Sequence, residues 1–592
     1  MQVKRKFLGV IAAMFALSLL TVVYGIAVQP AASVSAQEPV DLVAVHTNAE
    51  DYIWDSAAVT TIALSDSGST VTGAGATISG SIVTITTAGN YSLSGTLTAG
   101  QIVVDTDDEA LVRVILNGVN ISSTTSAPIF IANAEETMIV LADNSANVVS
   151  DAANYVYASA EEDEPNAAIF SKSNLTIYGN GTLTVNANFN DGITSKDGLV
   201  ITSGTITVNA VDDGVRGKDY LVVENGSLTV NAGGDALKSD NEEDAGTGYL
   251  SIVNGTISVN AGGDALSAVT NVMIADGQFA LVSGGGSAYT VAADSSAKGI
   301  KADVSVQIDG GTFTVNSADD ALHSNGTITV NGGVLTIAAN DDGIHADAAV
   351  TINGGDINIT DSYEGIESGV ITLNGGTVHL ISSDDGVNVS SGNGGMMMGG
   401  QVTATDYVLH INGGYLYMDA NGDGLDSNGA IEMTGGVVVV NGPTEQMNGS
   451  VDYDAWFTMT GGWLVTAGSS GMAEAPDTSS TQASVLINFT TMQAAGTLIN
   501  IASSDGTNVL TFAPTKQYQS ITFSSPELTQ GATYTVSLGG SADGTATDGV
   551  YSGGSYSGGM EYGSFTVSSV VTMLGNAGGF GGGRGGRGGG RP

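Results

Sequence analysis

A chain of 592 residues with 60 Asp plus Glu against 15 Lys plus Arg, and a formal charge of -45, is too acidic to hold nucleic acid on its folded part. Its 42% hydrophobic content excludes disorder throughout, and the absence of cysteine removes disulfides, thiolate metal sites and thiol nucleophiles together. Such a surface attracts cations, or neutral and acidic polymers reached through bridging cations. Much Gly, Thr, Val and Asn with little Pro and Lys excludes an all-helical protein and points to β-structure with tight turns.

In chain order, Lys4, Arg5 and Lys6 precede an apolar run over residues 7–28 and a small-residue stretch ending Val34-Ser35-Ala36, the pattern of a secretory signal over residues 1–36. The run is 22 residues long, so an uncleaved N-terminal anchor is the competing reading. Either way the remainder is expected outside the cytoplasm, secreted or attached to the cell surface, where even weak carboxylate sites fill with calcium. Residues 37–110 read as a β-rich cap and first irregular coils, including YSLSGTLTAGQIVVD at 91–105.

From there a phrase Gly-x-apolar-x-apolar recurs, with its Gly at 181, 204, 226, 255, 277, 311, 333, 355, 376, 414, 436 and 462. Six of the eleven intervals are 21 or 22 residues. GTLTVNA, GTITVNA and GSLTVNA alternate at period two, which makes each a half-buried strand. A second phrase follows each (DGIT, DGVR, DALK, DALS, DALH, DGIH, EGIE, DGVN, DGLD), then a third apolar piece. Three short strands per repeat, with no helix between them, predict an all-β solenoid, a right-handed parallel β-helix over residues 111–470. Ile193, Val215, Leu237, Leu266, Ile300, Leu322, Ile344, Ile366, Val387 and Leu425 should stack as one inward file, and Asn186, Asn209, Asn231, Asn260 and Asn316 as an amide ladder. The period is lost near 475, so residues 475–575 read as a separate small β-domain. Met396, Met397 and Met398 sit in a glycine-rich insertion, and residues 576–592 form a low-complexity Gly/Arg tail.

Aligned on its acid, the second phrase gives a column Asp191, Asp213, Asp235, Asp264, Lys298, Asp320, Asp342, Glu364, Asp385, Asp423, nine of ten acidic. A preceding Asp doubles it at 212, 319, 341 and 384. Carboxylates one coil apart, at about 4.8 Å, repel one another but suit a hard cation wanting six to eight oxygens, calcium first. The plain alternative is that Asp-Gly only makes a turn. Three residues on, an outward file runs Thr194, Arg216, Lys238, Ser267, Lys301, His323, His345, Glu367, Asn388, Asp426, from basic to acidic. Of nine Lys and Arg between residues 7 and 583, six fall in these phrases (Lys196, Arg216, Lys218, Lys238, Lys298, Lys301). They either neutralise neighbouring Asp or pair with the carboxylates of an acidic polysaccharide; Lys196, Arg216, Lys218, Lys238, Lys301, His323 and His345 are the candidate glycan contacts.

On YSLSGTL-x3-IVVD, ILNGVNISS, the GTLTVNA and DDGVRGKD repeats and the closing SFTVSSVVTMLG, the chain resembles the calcium-dependent carbohydrate-binding parallel β-helix family, itself similar to the family 9 pectate lyases. The resemblance implies binding of cellulose and polygalacturonate-type pectin, with calcium held by Asp191, Asp212, Asp213 and Asp235, by Asp319, Asp320, Asp341 and Asp342, and by Asp384 with Asp385. The related lyases use a Lys near calcium as base for β-elimination; Lys238, one coil after Asp213, is the best-placed candidate here, and Lys196, Lys218 and Lys301 compete with it, no sequence feature singling one out. Three classes therefore stand open: a secreted, monomeric polysaccharide-binding protein, a pectate-lyase-like enzyme, and a structural adhesin with a purely mechanical ladder.

Overall fold

The computed structural model describes residues 42–390, apart from 56 and 293–294, and 406–575. The predicted signal segment, the methionine triplet and the Gly/Arg tail lie outside these residues. Period-two sequences become short strands, and each strand of the repeat pairs in parallel with the strand three further along. The chain thus visits three parallel ladders in rotation. The first holds Thr182–Ala187, Thr205–Ala210 and Ser227–Ala232, the second Asp191–Ser195, Val215–Gly217 and Leu237–Ser239, and the third Gly198–Ile201, Tyr220–Val223 and Tyr249–Ile252. The result is an all-β chain with one large, mostly parallel sheet, consistent with a solenoid.

Register follows the repeat. Ile193 pairs with Val215, Val215 with Leu237, and so on through Leu266, Ile300, Leu322, Ile344, Ile366, Val387 and Leu425. Every member is at most 2% exposed, and all join one continuous apolar core. From Gly204 on, the glycine opening each first-ladder strand turns the chain with positive φ, as at Gly226 (φ 118), where a Cβ would press on the carbonyl of Gly204 one coil back. Inside, the rings of Phe279 and Phe313 stack with centroids 4.3 Å apart. Phe313→Ala should therefore cost about 3–5 kcal/mol, read by chemical denaturation; a loss under about 1 kcal/mol would contradict this packing.

Both ends of the sheet are closed by antiparallel pairing, which protects exposed strand edges. At the start Val59–Leu64 pairs in parallel with Gly89–Leu97 and antiparallel with Thr70–Thr72, so parallel stacking begins within residues 37–110, the region read as a cap and first irregular coils. At the other end Trp463–Gly468 pairs antiparallel with Tyr518–Ser524. A second core, including Val465, Phe512, Tyr518, Phe523 and Val536, packs against Tyr415, Tyr417 and Trp463 of the last coils. Of the C-terminal strands, Ser484–Gln493, Tyr518–Ser524 and Val571–Leu574 join the large sheet, while Ile499–Ser503, Asn508–Phe512, Thr533–Leu538 and Met560–Thr566 belong to a second, antiparallel sheet. Residues 42–54 run along the outside of the third ladder, where Val43 bonds Gly246 and Tyr249, and His46 bonds Tyr220 and Thr176.

Candidate functional site

The acid column lies where the chain bends from the first ladder into the second. Asp191, Asp213, Asp264, Asp320, Asp342 and Glu364 are each at most 9% exposed. A buried carboxylate needs donors, and the coil spacing supplies one. At six steps the backbone N–H of a column residue donates to the carboxylate one coil earlier, Asp235 to Asp213 (2.9 Å), Asp264 to Asp235 (2.8 Å), Lys298 to Asp264 (2.7 Å), Asp342 to Asp320 (3.1 Å), Glu364 to Asp342 (3.1 Å) and Asp423 to Asp385 (2.6 Å). One oxygen of Asp213, Asp235, Asp264, Asp320, Asp342 and Asp385 is therefore used by the fold, as the turn reading requires, and the side chains around the other oxygens decide what the column can hold.

In the N-terminal half that second oxygen meets the protein's own bases. Lys238 bridges Asp213 (3.0 Å) and Asp235 (3.1 Å), Lys298 bridges Asp319 (2.8 Å) and Asp320 (2.7 Å), and Lys301 reaches Asp264 (3.3 Å). Arg216 forks onto Asp240 (2.8 and 3.0 Å), and Lys196 pairs with Glu164 (2.6 Å). Among the described residues Lys218 alone of the candidate glycan contacts forms no ion pair. The Lys238 ammonium pays a burial penalty, yet Asp235 and Asp213 outweigh it and raise its pKa, the opposite of what a general base requires.

The two histidines turn onto the column. His323 Nδ1 lies 2.8 Å from Asp320, and its Nε2 lies 3.0 Å from Asn325 Oδ1. His345 Nδ1 faces Asp342 (3.2 Å), Glu367 (3.7 Å) and Asp320 (3.8 Å), and its ring sits 5.1 Å from that of His323. Burial opposes the charge of His345, but the hydrogen bond to Asp342 and the carboxylates of Asp320 and Glu367 raise its pKa to about 9.

Beyond Glu364 no Lys or Arg enters the column. Burial, then Asp342 and Glu367, push Glu364 up to about 9. Burial, with the neighbouring Asp385 and Asp452 carboxylates, raises Asp423 to about 7. Asp426 is raised to about 8 by burial and by Asp385, Asp423, Asp452 and Asp454. Single oxygens of Asp385, Asp423 and Asp426 lie within 4.8 Å of one another, as do those of Asp319, Asp320 and Asp341. Gly422 leaves room beside Asp384 and Asp385 that a Cβ would fill, and Gly234 does the same beside Asp212 and Asp213.

These donor sets are oxygen-rich and fit a hard cation. Of the predicted metal residues, Asp319, Asp320 and Asp341 come together, but Lys298 already spans two of them. Asp342 turns to His345, and Asp212 is exposed while Lys238 spans Asp213 and Asp235. Asp191 bonds Thr194 and Asn190. Asp385 gains Asp423 and Asp426, which the predicted sites did not include. Their signal was in the sequence: the outward file ends in Asp426, whose register partner on the next coil is Asp452.

A family profile described as carbohydrate-binding domain-containing protein matches residues 79–343. A curated protein of the same description from Acetivibrio thermocellus is 48% identical over 136 residues, covering 23% of this chain and 48% of that protein. The matched stretch thus spans about half the length of that relative. A solved structure of a polysaccharide lyase-like protein from C. thermocellum, a gadolinium derivative, is 34% identical, with 46% of this chain and 96% of that chain covered and a TM-score of 0.37. Among the described residues no helix is long and apolar enough to cross a membrane.

Proposed function

We propose that the chain is a secreted, monomeric, calcium-loaded polysaccharide-binding protein, wound as a right-handed parallel β-helix, whose acid column takes up acidic, pectin-type glycan through bridging cations. The observation that carries this is that single carboxylate oxygens of Asp385, Asp423 and Asp426 lie within 4.8 Å of one another in a stretch of the column where the sequence places no Lys or Arg. Calcium there would neutralise the carboxylates and leave coordination positions for a uronate oxygen. The match to carbohydrate-binding domain proteins supports the glycan reading. Binding is favoured over turnover because Lys238, the best candidate base, is held protonated by two carboxylates.

Titration calorimetry of chelator-stripped protein should show calcium uptake, and polygalacturonate should capture the calcium-loaded protein but not the chelated one. Capture that is indifferent to chelator would remove the bridging mechanism. No absorbance of unsaturated uronate is expected on incubation with polygalacturonate and calcium from pH 6 to 10.

A further inference from the structure

Of the five histidines in the chain, two meet the acid column on adjacent coils. His46, His379 and His410 each face a single carboxylate, that of Glu136, Asp548 and Glu432. His323 and His345 instead stand among three, from Asp320, Asp342 and Glu367, all buried. Each of these acids is fixed by one oxygen. Asp320 Oδ1 accepts the Asp342 N–H (3.1 Å), Asp342 Oδ1 accepts the Glu364 N–H (3.1 Å), and Glu367 Oε1 accepts from the Ser390 hydroxyl (2.6 Å) and the Asn388 amide (3.3 Å). The opposite oxygens point at the rings. Asp342 Oδ2, Glu367 Oε2 and Asp320 Oδ2 lie 3.2, 3.7 and 3.8 Å from His345 Nδ1, and Asp320 Oδ2 lies 2.8 Å from His323 Nδ1. The outer ring nitrogens are oriented as well. The Asn325 amide donates to Asp303 (3.1 Å), which leaves its Oδ1 to accept from His323 Nε2 (3.0 Å). His345 Nε2 is buried without a hydrogen bond, and the carboxylate it faces is that of Asp347 at 3.5 Å. Oxygens on the outer side keep the proton of a neutral ring on Nε2, so both Nδ1 lone pairs aim at the carboxylates, the arrangement found around protein-bound metals.

We propose that His323, His345, Asp342 and Glu367, with Asp320 at their edge, form a site for one zinc ion. Calcium takes oxygens alone, whereas imidazole nitrogen suits zinc and its transition-metal neighbours, so this rung selects a different ion from the calcium that the resemblance implies for Asp320 and Asp342. Zinc holds its ligands at about 2.0–2.2 Å, so tetrahedral ligands stand roughly 3.3–3.6 Å apart, close to the spacings around His345 Nδ1. Asp320 Oδ2 also receives Lys298 (2.7 Å), which leaves the two rings, Asp342 and Glu367 as the four principal donors. They come from three successive coils, so a single ion ties those coils together. The rings keep 12% and 13% of their surface in contact with water, which gives the ion a way in. The site is separate from the all-oxygen group of Asp385, Asp423 and Asp426, and it stands independently of the glycan reading.

Calorimetric titration of the chelator-stripped full chain with zinc, in an excess of calcium, tests it together with X-ray absorption at the zinc edge of the loaded protein. The wild type should take up one zinc that calcium does not displace, and the absorption spectrum should carry the scattering of two imidazoles. His323→Gln and His345→Gln should each weaken zinc at least about tenfold, and Asn325→Ala, which leaves both rings in place, severalfold. Asp426→Asn should leave zinc affinity within about twofold while it reduces calcium uptake. The wild-type spectrum does not depend on how well a histidine variant folds: a zinc site without imidazole scattering overturns the proposal. So does no zinc uptake, displacement by calcium, or wild-type affinity in both histidine variants. Absence of calcium uptake in the wild type removes the calcium reading of the Asp385 group and leaves this one standing.

Discussion

Stripped of divalent cations, the protein should lose stability as the pH rises from about 5 to about 9, and calcium should remove most of that loss. Glu364, Asp423 and Asp426 have folded-state pKa values raised to about 9, 7 and 8, whereas in an unfolded chain they titrate near 4. Between those limits the folded state holds more protons than the unfolded one, so stability is greatest at the acid end and falls as each group is forced to ionise in place. His345 acts in the same direction. Its raised pKa of about 9 means that its ion pairs stabilise fully below about 6.5 and are lost as the pH passes through 9. These groups repel one another, so their shifts do not add; the combined effect is on the order of 5 kcal/mol, a fall of a few degrees in melting temperature for a chain this long. Thermal melts in chelator at pH 5, 7 and 9, repeated with calcium, measure it. In the same experiment Asp426→Asn should stabilise the metal-free protein at pH 8 by about 1–3 kcal/mol and shrink the calcium effect. Melts that are flat with pH, or blind to calcium, would sink the cation reading of this column.

Lys298→Ala should destabilise the protein by about 3 kcal/mol in chelator, with Lys298→Met as a control of similar volume. Lys298 is the single base in the column, and its ammonium lies 2.7 Å from Asp320, which is only 2% exposed. Without it the Asp319, Asp320 and Asp341 carboxylates face one another with only the histidines to balance them. Calcium should then restore more than half of the loss in the variant and far less in the wild type, because the ion takes the place the ammonium held. Equal losses with and without calcium would mean that this position accepts lysine only. Denaturant unfolding in the presence and absence of calcium reads both arms.

The arrangement behind both predictions was partly legible in the sequence. A constant repeat forces equivalent residues into register, so the inward file from Ile193 to Leu425, the acid column and the run from Asn186 to Asn231 followed from spacing alone. Where the interval changed, so did the outcome: Asn316 lies beyond an insertion and a Val282 rung, and its side chain bonds a loop instead of the ladder.

What the repeat alone determined is which residues share a file; what only the folded chain decided is which atoms of those residues remain available. Whether the second oxygen of an aspartate faces a lysine, a histidine or another carboxylate depends on side-chain rotamers and on neighbours from two other coils. So Lys238 and Lys301, read as glycan contacts, turned onto Asp213, Asp235 and Asp264, while Asp423 and Asp426 joined Asp385 across adjacent coils. The pairing of Tyr518–Ser524 with Trp463–Gly468 was likewise invisible in one dimension, because an edge strand takes whichever partner returns to it in space, however distant in sequence.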